Sequence, residues 1–392
     1  MFWLAQAISR FGDPITLIAL ATVTYQRTSS ALYTALAVVI ATLPTAVFGF
    51  FVGAVGDALG HRRALLLSDI ARALLIAAIP IALDAGAPLV AAYVLVFLAS
   101  IFTAIFNPAR MAIIPELVGP DALGAANSAI ASTDRVVEIL GALAAGFLVA
   151  AIGAFAFYVD AATFAASAIL VSVLRGTAVG SGRFAVGALV RDAWEGLQFI
   201  RDSPVLWPNT VFSLVTQLAA PISNGLTPVF LVRRFAGGDA VFGAALFGVA
   251  EAAVAAGAVT AGLTLPEFIG RFPKGRLLVA GFAGYGALLI LLALSPSLLP
   301  ALVLFFLIGV VNVVYFVPNV TISQEVTPPS MRARVFGARI ALLNLSWLPV
   351  IVASGALADR IDVGWLFIAA GAVTLATALF AARFVPAVSE VA

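Results

Sequence analysis

Gly53-Ala54-Val55-Gly56-Asp57-Ala58-Leu59-Gly60-His61-Arg62-Arg63 is a polar, glycine-punctuated turn between two apolar runs. Each run is long enough to cross a bilayer. The turn carries one acid, two arginines and the only histidine of the chain. Glycines let two helix ends approach closely and turn sharply, and the acid and arginines can pair with helix ends or with each other. The surroundings decide the fold. Of 392 residues, 63% are hydrophobic and 10% charged, with mean hydropathy +1.13. Soluble domains run at about 45–50% apolar and about 25% charged. A chain this apolar needs the bilayer as its solvent, and its backbone polar groups must then be satisfied inside helices.

The same composition excludes several function classes. With no cysteine there is no disulfide, thiolate metal site or cysteine nucleophile. A single histidine argues against zinc. A net charge of +2 gives no support to a nucleic-acid partner. No Gly-x4-Gly-Lys-Ser/Thr segment occurs, so no ATP site and no cofactor are expected. The first apolar segment holds Arg10 and Asp13 and lacks a small-residue cleavage site, so it is read as a mature helix.

Polar breaks divide the rest into twelve apolar runs, six on each side of a polar stretch at 175–203. The expected architecture is an all-α polytopic membrane protein with twelve transmembrane helices in two pseudo-symmetric six-helix bundles. The bundles are expected at 1–174 and 204–392, with a cytoplasmic linker at 175–203. Residues 187–200 within that linker read as an amphipathic helix on the membrane surface. One constant offset brings Gly53 onto Gly262, Arg62 onto Arg271, Glu116 onto Glu325, Pro120 onto Pro329 and Gly146 onto Gly355. Matches in several separate segments indicate a duplication, and two related halves are what alternating access uses. Most of the 21 Lys and Arg fall on one side, the linker and Arg72 and Arg110 among them, whereas Arg27, Arg233, Arg234 and Arg360 fall opposite. Both termini are therefore expected in the cytoplasm.

Twelve spans, duplicated halves, a long central linker and Gly-x3-Asp-x2-Gly-x-Arg-Arg after the second span together resemble the major facilitator superfamily. Gly53, Asp57, Gly60, Arg62 and Arg63 match its loop signature, with His61 replacing a usual basic residue, and the second copy has Pro266 where the acid would stand. Ser9-Arg10-Phe11-Gly12-Asp13, Phe106-Asn107-Pro108-Ala109-Arg110, Pro115-Glu116-Leu117-Val118 and Tyr158-Val159-Asp160-Ala161-Ala162-Thr163-Phe164 are similar to proton-driven exporters of the macrolide-efflux and enterobactin-exporter type. The Gly-Pro such exporters tend to carry in the fifth span is here Gly141-Ala142. The resemblance implies a secondary transporter, not an enzyme, that exports small amphipathic molecules in exchange for protons from the plasma membrane. Its expected partners are a small-molecule substrate, protons and membrane lipid, and it is expected to work as a single chain.

Ionisable groups inside spans cost roughly 3 kcal/mol each unless paired or wet, so they are the functional candidates. Arg10 and Asp13 share a helical face, and Asp13 reads either as a proton-coupling carboxylate or as half of a structural ion pair. Asp134, Arg135 and Glu138 sit near the middle of the fifth span as a relay, a polar-substrate site or a packing triad. In the second half Gln217, Asn224, Glu251, Asn312, Arg339 and Asn344 are candidates to line a cavity, and the proton coupling is expected to rest on Asp13, Asp134, Glu138 and Glu251. For the lone amides an interhelical hydrogen bond is the simpler reading. Asp57, Arg62, Arg63, Asp69 and Arg72, with Glu116 across the loops, read as an inner-gate charge cluster, with Asp69 and Arg72 one turn into the third span. Asp160 reads as a helix cap. A lipid or lysolipid translocator of the same fold, or a membrane receptor, are the other readings of such a chain.

Overall fold

The computed structural model describes residues 2–118, 123–173, 186–264, 272–328 and 331–385. Among them the regular structure is helical. The helices are α1 (Phe2–Thr28), α2 (Ala31–Leu59), α3 (His61–Asp84), α4 (Leu89–Val118), α5 (Leu123–Ile152), α6 (Ala156–Ser172), α7 (Val186–Asp202), α8 (Leu206–Thr216), α9 (Ala219–Arg234), α10 (Ala240–Thr264), α11 (Lys274–Ala293), α12 (Leu298–Val326), α13 (Arg332–Ala358) and α14 (Val363–Phe384). With α7 as the linker helix and α8–α9 as one interrupted span, they make the twelve spans. By length and apolar composition alone, nine stretches of the described residues qualify as membrane-crossing. Large apolar side chains such as Leu74, Val90, Ile169, Leu299 and Trp365 stand exposed on their outer faces, as a lipid-solvated surface requires.

The opening segment is not the turn expected of it. α2 continues as helix to Leu59, and the reversal is made by Gly60 alone, whose φ is 81°. A side chain at that φ would be strained, so glycine permits the one-residue connection. α3 therefore starts at His61. Counting from there, Asp69 and Arg72 lie two to three turns inside the helix, not one turn past a loop.

The seventh span is interrupted between α8 and α9 at Gln217-Leu218. Pro221 is the cause. It has no N–H to bond the Gln217 carbonyl, and its ring crowds that carbonyl. The Ala220 N–H takes the Gln217 carbonyl instead, at 3.1 Å. Thr374 Oγ1 of α14 donates to the Thr216 carbonyl at 3.2 Å.

Backbone proximity groups the chain into two units: Met1–Ser29, Leu36–Val186 and Gly238–Val249 in the first, and Ser30–Ala35, Gly187–Gly237 and Ala250–Ala392 in the second. In the first, α1 packs on α5 and α6, and α3 on α4 and α6. Phe2, Leu65, Phe106, Ile113 and Val171 join in one buried cluster there. In the second, α11 packs on α12 and α14, and α9 on α13 and α14. Phe212, Leu278, Phe282 and Ile322 form its core.

Each unit also holds the first turns of one helix whose remainder lies in the other. Within the first unit a Cβ on Gly146 of α5 would meet the Ala244 carbonyl at 2.8 Å. Within the second a Cβ on Gly355 of α13 would meet Leu32 Cα at 2.8 Å and Ala35 Cβ at 3.4 Å. The offset that pairs Gly146 with Gly355 also pairs Ala35 with Ala244, so the duplicated glycines make duplicated contacts.

The C-terminal half of the linker helix α7 packs on protein, whereas Trp194 of the same helix is 60% exposed. Ile200 is fully buried with Leu206, Val335 and Ala338. Glu195 accepts a hydrogen bond from Arg334 Nη1 at 2.6 Å. A Cβ on Gly196 would come within 2.3 Å of the Arg334 carbonyl oxygen, so α7 lies directly on the first turns of α13.

Candidate functional site

α1, α3 and α6 bring their polar residues to one place inside the first unit. Asp69 and Arg72 are 0% and 2% exposed. They form a direct ion pair one turn apart on α3. Ser167 Oγ of α6 donates to the other Asp69 oxygen at 2.7 Å. Arg72 also lies 3.9 Å from Asp13 of α1 and 3.4 Å from Ser9 Oγ. Its guanidinium is sandwiched between Phe106 and Phe164, 4.3 and 4.2 Å from the ring centroids. Such stacking holds the plane of a cation in place and contributes about 0.5–2 kcal/mol per ring.

Asp13 is the least enclosed of the acids. It is one-third exposed and also faces Arg10 at 3.8 Å. Further into the core, Thr16 Oγ1 donates to Asp160 at 2.5 Å, and Thr163 Oγ1, which donates to the Asp160 carbonyl at 2.7 Å, lies 3.3 Å from the same carboxylate. Asp160 is fully buried, and the α6 N-cap is Phe155, without side-chain capping. Asp160 is thus a core carboxylate joining α6 to α1, not a cap. Gly12 makes the approach possible, because a Cβ there would meet Asp160 Oδ1 and Thr163 Oγ1 at 2.2 Å.

Asp134 takes a partner the sequence did not suggest. It is Arg110 of α4, in a direct ion pair with the arginine 5% and the acid 27% exposed. Arg72 and Arg110 therefore lie inside the first unit and not on a loop face. Asp13 feels Arg72, Arg10, Arg110 and Asp134 as its electrostatic neighbours. Among the described side chains the neighbourhood holds four carboxylates, Asp13, Asp69, Asp134 and Asp160, against three guanidiniums, Arg10, Arg72 and Arg110. Over these described side chains one negative charge is in excess; Arg135 and Glu138 of α5 are not among them. In a core of low dielectric an excess charge is met by a proton or by a bound cation.

Of the loop signature, Arg62 Nη2 donates to the Ser172 carbonyl at the end of α6, where a cation also complements the helix dipole. Arg63 is exposed. The side chains of Asp57, Glu116, Arg135, Glu138 and Asn344, and Gly53 with them, lie outside the described residues.

In the second unit the candidates separate. Gln217 sits at the α8–α9 break, half-buried, whereas Asn224 is exposed on α9. The break removes the helical phase that would have put them on one face. Asn312 accepts from Tyr315 OH at 2.9 Å, and Glu251 is half-buried on α10. Ser223 accepts from Tyr285 OH at 3.2 Å, and Tyr315 stacks on Phe282 with centroids 4.1 Å apart. Arg339 is buried between α8, α12 and α13.

Sequence reasoning found Arg10 and Asp13. It missed that Asp69, Arg72 and Asp160 join them. The i, i+3 acid–base spacing in an otherwise apolar third span was the available signal.

A family model described as the Major Facilitator Superfamily matches residues 2–349. The multidrug efflux pump Tap of Mycolicibacterium fortuitum is 33% identical over 234 residues, 57% of this chain and 57% of the pump, so the match spans little more than half the pump's length. The MFS-type transporter YfiS of Bacillus subtilis (strain 168) is 25% identical over 374 residues, 94% of this chain and 88% of its own. Among solved structures, the nucleoside transporter NupG superposes with TM-score 0.77 at 13% identity, over 96% of this chain and 97% of that one. The inward-open xylose transporter XylE from E. coli superposes with TM-score 0.72 at 13% identity, over 98% and 96%.

Proposed function

This chain belongs to the Major Facilitator Superfamily, and from that premise we propose that it exports small amphipathic molecules in exchange for protons, from a plasma membrane in which both termini face the cytoplasm. The observation that carries the coupling is the carboxylate excess around Asp13 in the first unit. Asp69 is neutralised in place by Arg72 and Ser167, and Asp134 by Arg110. Asp160 is sealed in the core beside Thr16. Asp13 keeps a third of its surface open and stands 3.8–3.9 Å from two arginines. It is the most open of the four acids, at 33% against 27% for Asp134, which supports it as the group that exchanges a proton. A lipophilic cation could compete for the same excess charge, and that competition is the logic of an antiporter. The similarity to Tap, a multidrug efflux pump, supports the substrate class.

Cells expressing the protein should lose a preloaded lipophilic dye such as ethidium faster than empty-vector cells. The difference should vanish with a protonophore, and Asp13→Asn should lose it while keeping wild-type amounts of protein in the membrane. Dye loss insensitive to the protonophore, or undiminished in Asp13→Asn, refutes proton-coupled export through this residue.

A further inference from the structure

Among the described residues Arg339 is a buried cation without a counter-charge. It is 5% exposed. Its Nη1 donates to Ser323 Oγ. Its Nη2 faces Asn209 Oδ1, Ser213 Oγ at 3.0 Å and Asn319 Oδ1 at 2.6 Å. All four partners are neutral. Among the described residues no carboxylate pairs with Arg339, whereas Arg72 has Asp69 and Arg110 has Asp134.

The duplication shows what is missing. The constant offset between the halves places Arg110 on Asn319 and Asp134 on Leu343. The second half has its guanidinium on the neighbouring helix, and leucine stands where the first half keeps its acid. A cation left in that state is expensive in a medium of low dielectric.

A second observation points to what fills the place. Three buried polar atoms have no hydrogen-bond partner: Arg339 Nε and Asn209 Nδ2 in the cage, and Thr210 Oγ1, which follows Asn209 on α8 one turn before Ser213. Asn209 and Thr210 are fully buried. Arg72 and Arg110 each leave a nitrogen unmet as well, but their charge is balanced by an acid. Here the unmet groups are a cationic N–H, an amide N–H and a hydroxyl, all able to donate. The two protons of Nη2 are taken by the three cage oxygens, so the free donor on that edge of the guanidinium is Nε. Buried donors in native proteins are nearly always met, and one anionic acceptor would meet these and balance the charge together.

We propose that α8, α12 and α13 form a binding site for a small monovalent anion, a halide or the carboxylate of a small solute, on the Nε edge of Arg339, with Asn209 Nδ2 and Thr210 Oγ1 as its other donors. The site lies within the second unit and does not depend on the export reading, so its test uses stability and not transport.

The purified protein in a nonionic detergent is placed in a buffer of bulky gluconate. Chloride, and in a parallel arm acetate, is then exchanged in at constant ionic strength while Tm is recorded. A ligand that binds only the folded state raises Tm saturably. Wild type should show that rise, Arg339→Gln should abolish it, and Thr210→Val, which keeps the charge, should shift its midpoint at least tenfold. A response to chloride alone identifies a halide site, and a response to both anions identifies a site that also takes a carboxylate. A flat Tm in both arms overturns the proposal, because water then meets the three donors. A rise that survives unchanged in both variants overturns it too, by putting the anion elsewhere. Should Arg339→Gln fail to fold, Thr210→Val and Asn209→Leu decide the matter by the same criterion.

Discussion

Asp69 and Arg72 are held by partners on three helices, and neither can leave without stranding the other. Asp69→Leu leaves a buried guanidinium with Asp13 at 3.9 Å as its nearest acid. Breaking a buried pair on one side costs roughly 3–5 kcal/mol, so the variant should unfold at clearly lower temperature in detergent. Asp69→Leu combined with Arg72→Leu should recover a substantial part of the loss, because no charge is then stranded. Equal losses in the single and double variants would deny that the pair acts as a unit. At this scale the sequence was legible only in part. Arg10 and Asp13 announce themselves by spacing. The placement of Asp69 depends on where α3 starts, and a one-residue turn at Gly60 puts that start three residues earlier than an apolar-run reading, which sets Asp69 deeper in the helix. Asp160 was unreadable for another reason: its partners Thr16 and Thr163 are uncharged, and nothing in the chain marks which face of α6 meets α1.

At the scale of elements, apolar run length predicted the helices well because the bilayer leaves the backbone no other solution. It could not predict the break in the seventh span, which Pro221 imposes through the carbonyl four residues earlier. Pro221→Ala restores an N–H to that carbonyl and should join α8 to α9. Amide exchange across 217–221 should then slow measurably, and an unchanged exchange rate would assign the break to packing instead of to proline. The linker helix is a similar case. Its amphipathic pattern is plain, but a pattern does not say which of its apolar residues meet protein, as Ile200 meets Val335 and Ala338. Helix contacts in the second unit rest on missing side chains. A Cβ on Gly257 of α10 would come within 1.9 Å of the Phe306 carbonyl oxygen, and one on Gly309 of α12 within 1.9 Å of the Val254 carbonyl oxygen. Gly257→Leu should therefore push α10 and α12 apart and cost about 1–3 kcal/mol or more. Gly262→Ala in the same helix, with nothing within 4 Å, should leave Tm nearly unchanged. Similar Tm values for the two variants would show that the crossing tolerates separation.

For the whole molecule, duplication ties the levels together. The offset read from loops reappears as matched packing of Gly146 and Gly355. The two halves keep helices and close contacts in common and differ in charge. The first concentrates acids and arginines around Asp13. Among its described residues the second keeps one buried arginine, in a neutral cage. That asymmetry is the physical ground for assigning proton exchange to the first half. The most direct test reconstitutes the purified protein in liposomes with a trapped pH-sensitive dye and adds a transported lipophilic cation. Wild type should move protons against the cation, and Asp13→Asn should bind the cation yet move no protons. Cation flux without proton movement, or proton movement undiminished in Asp13→Asn, would contradict the assignment.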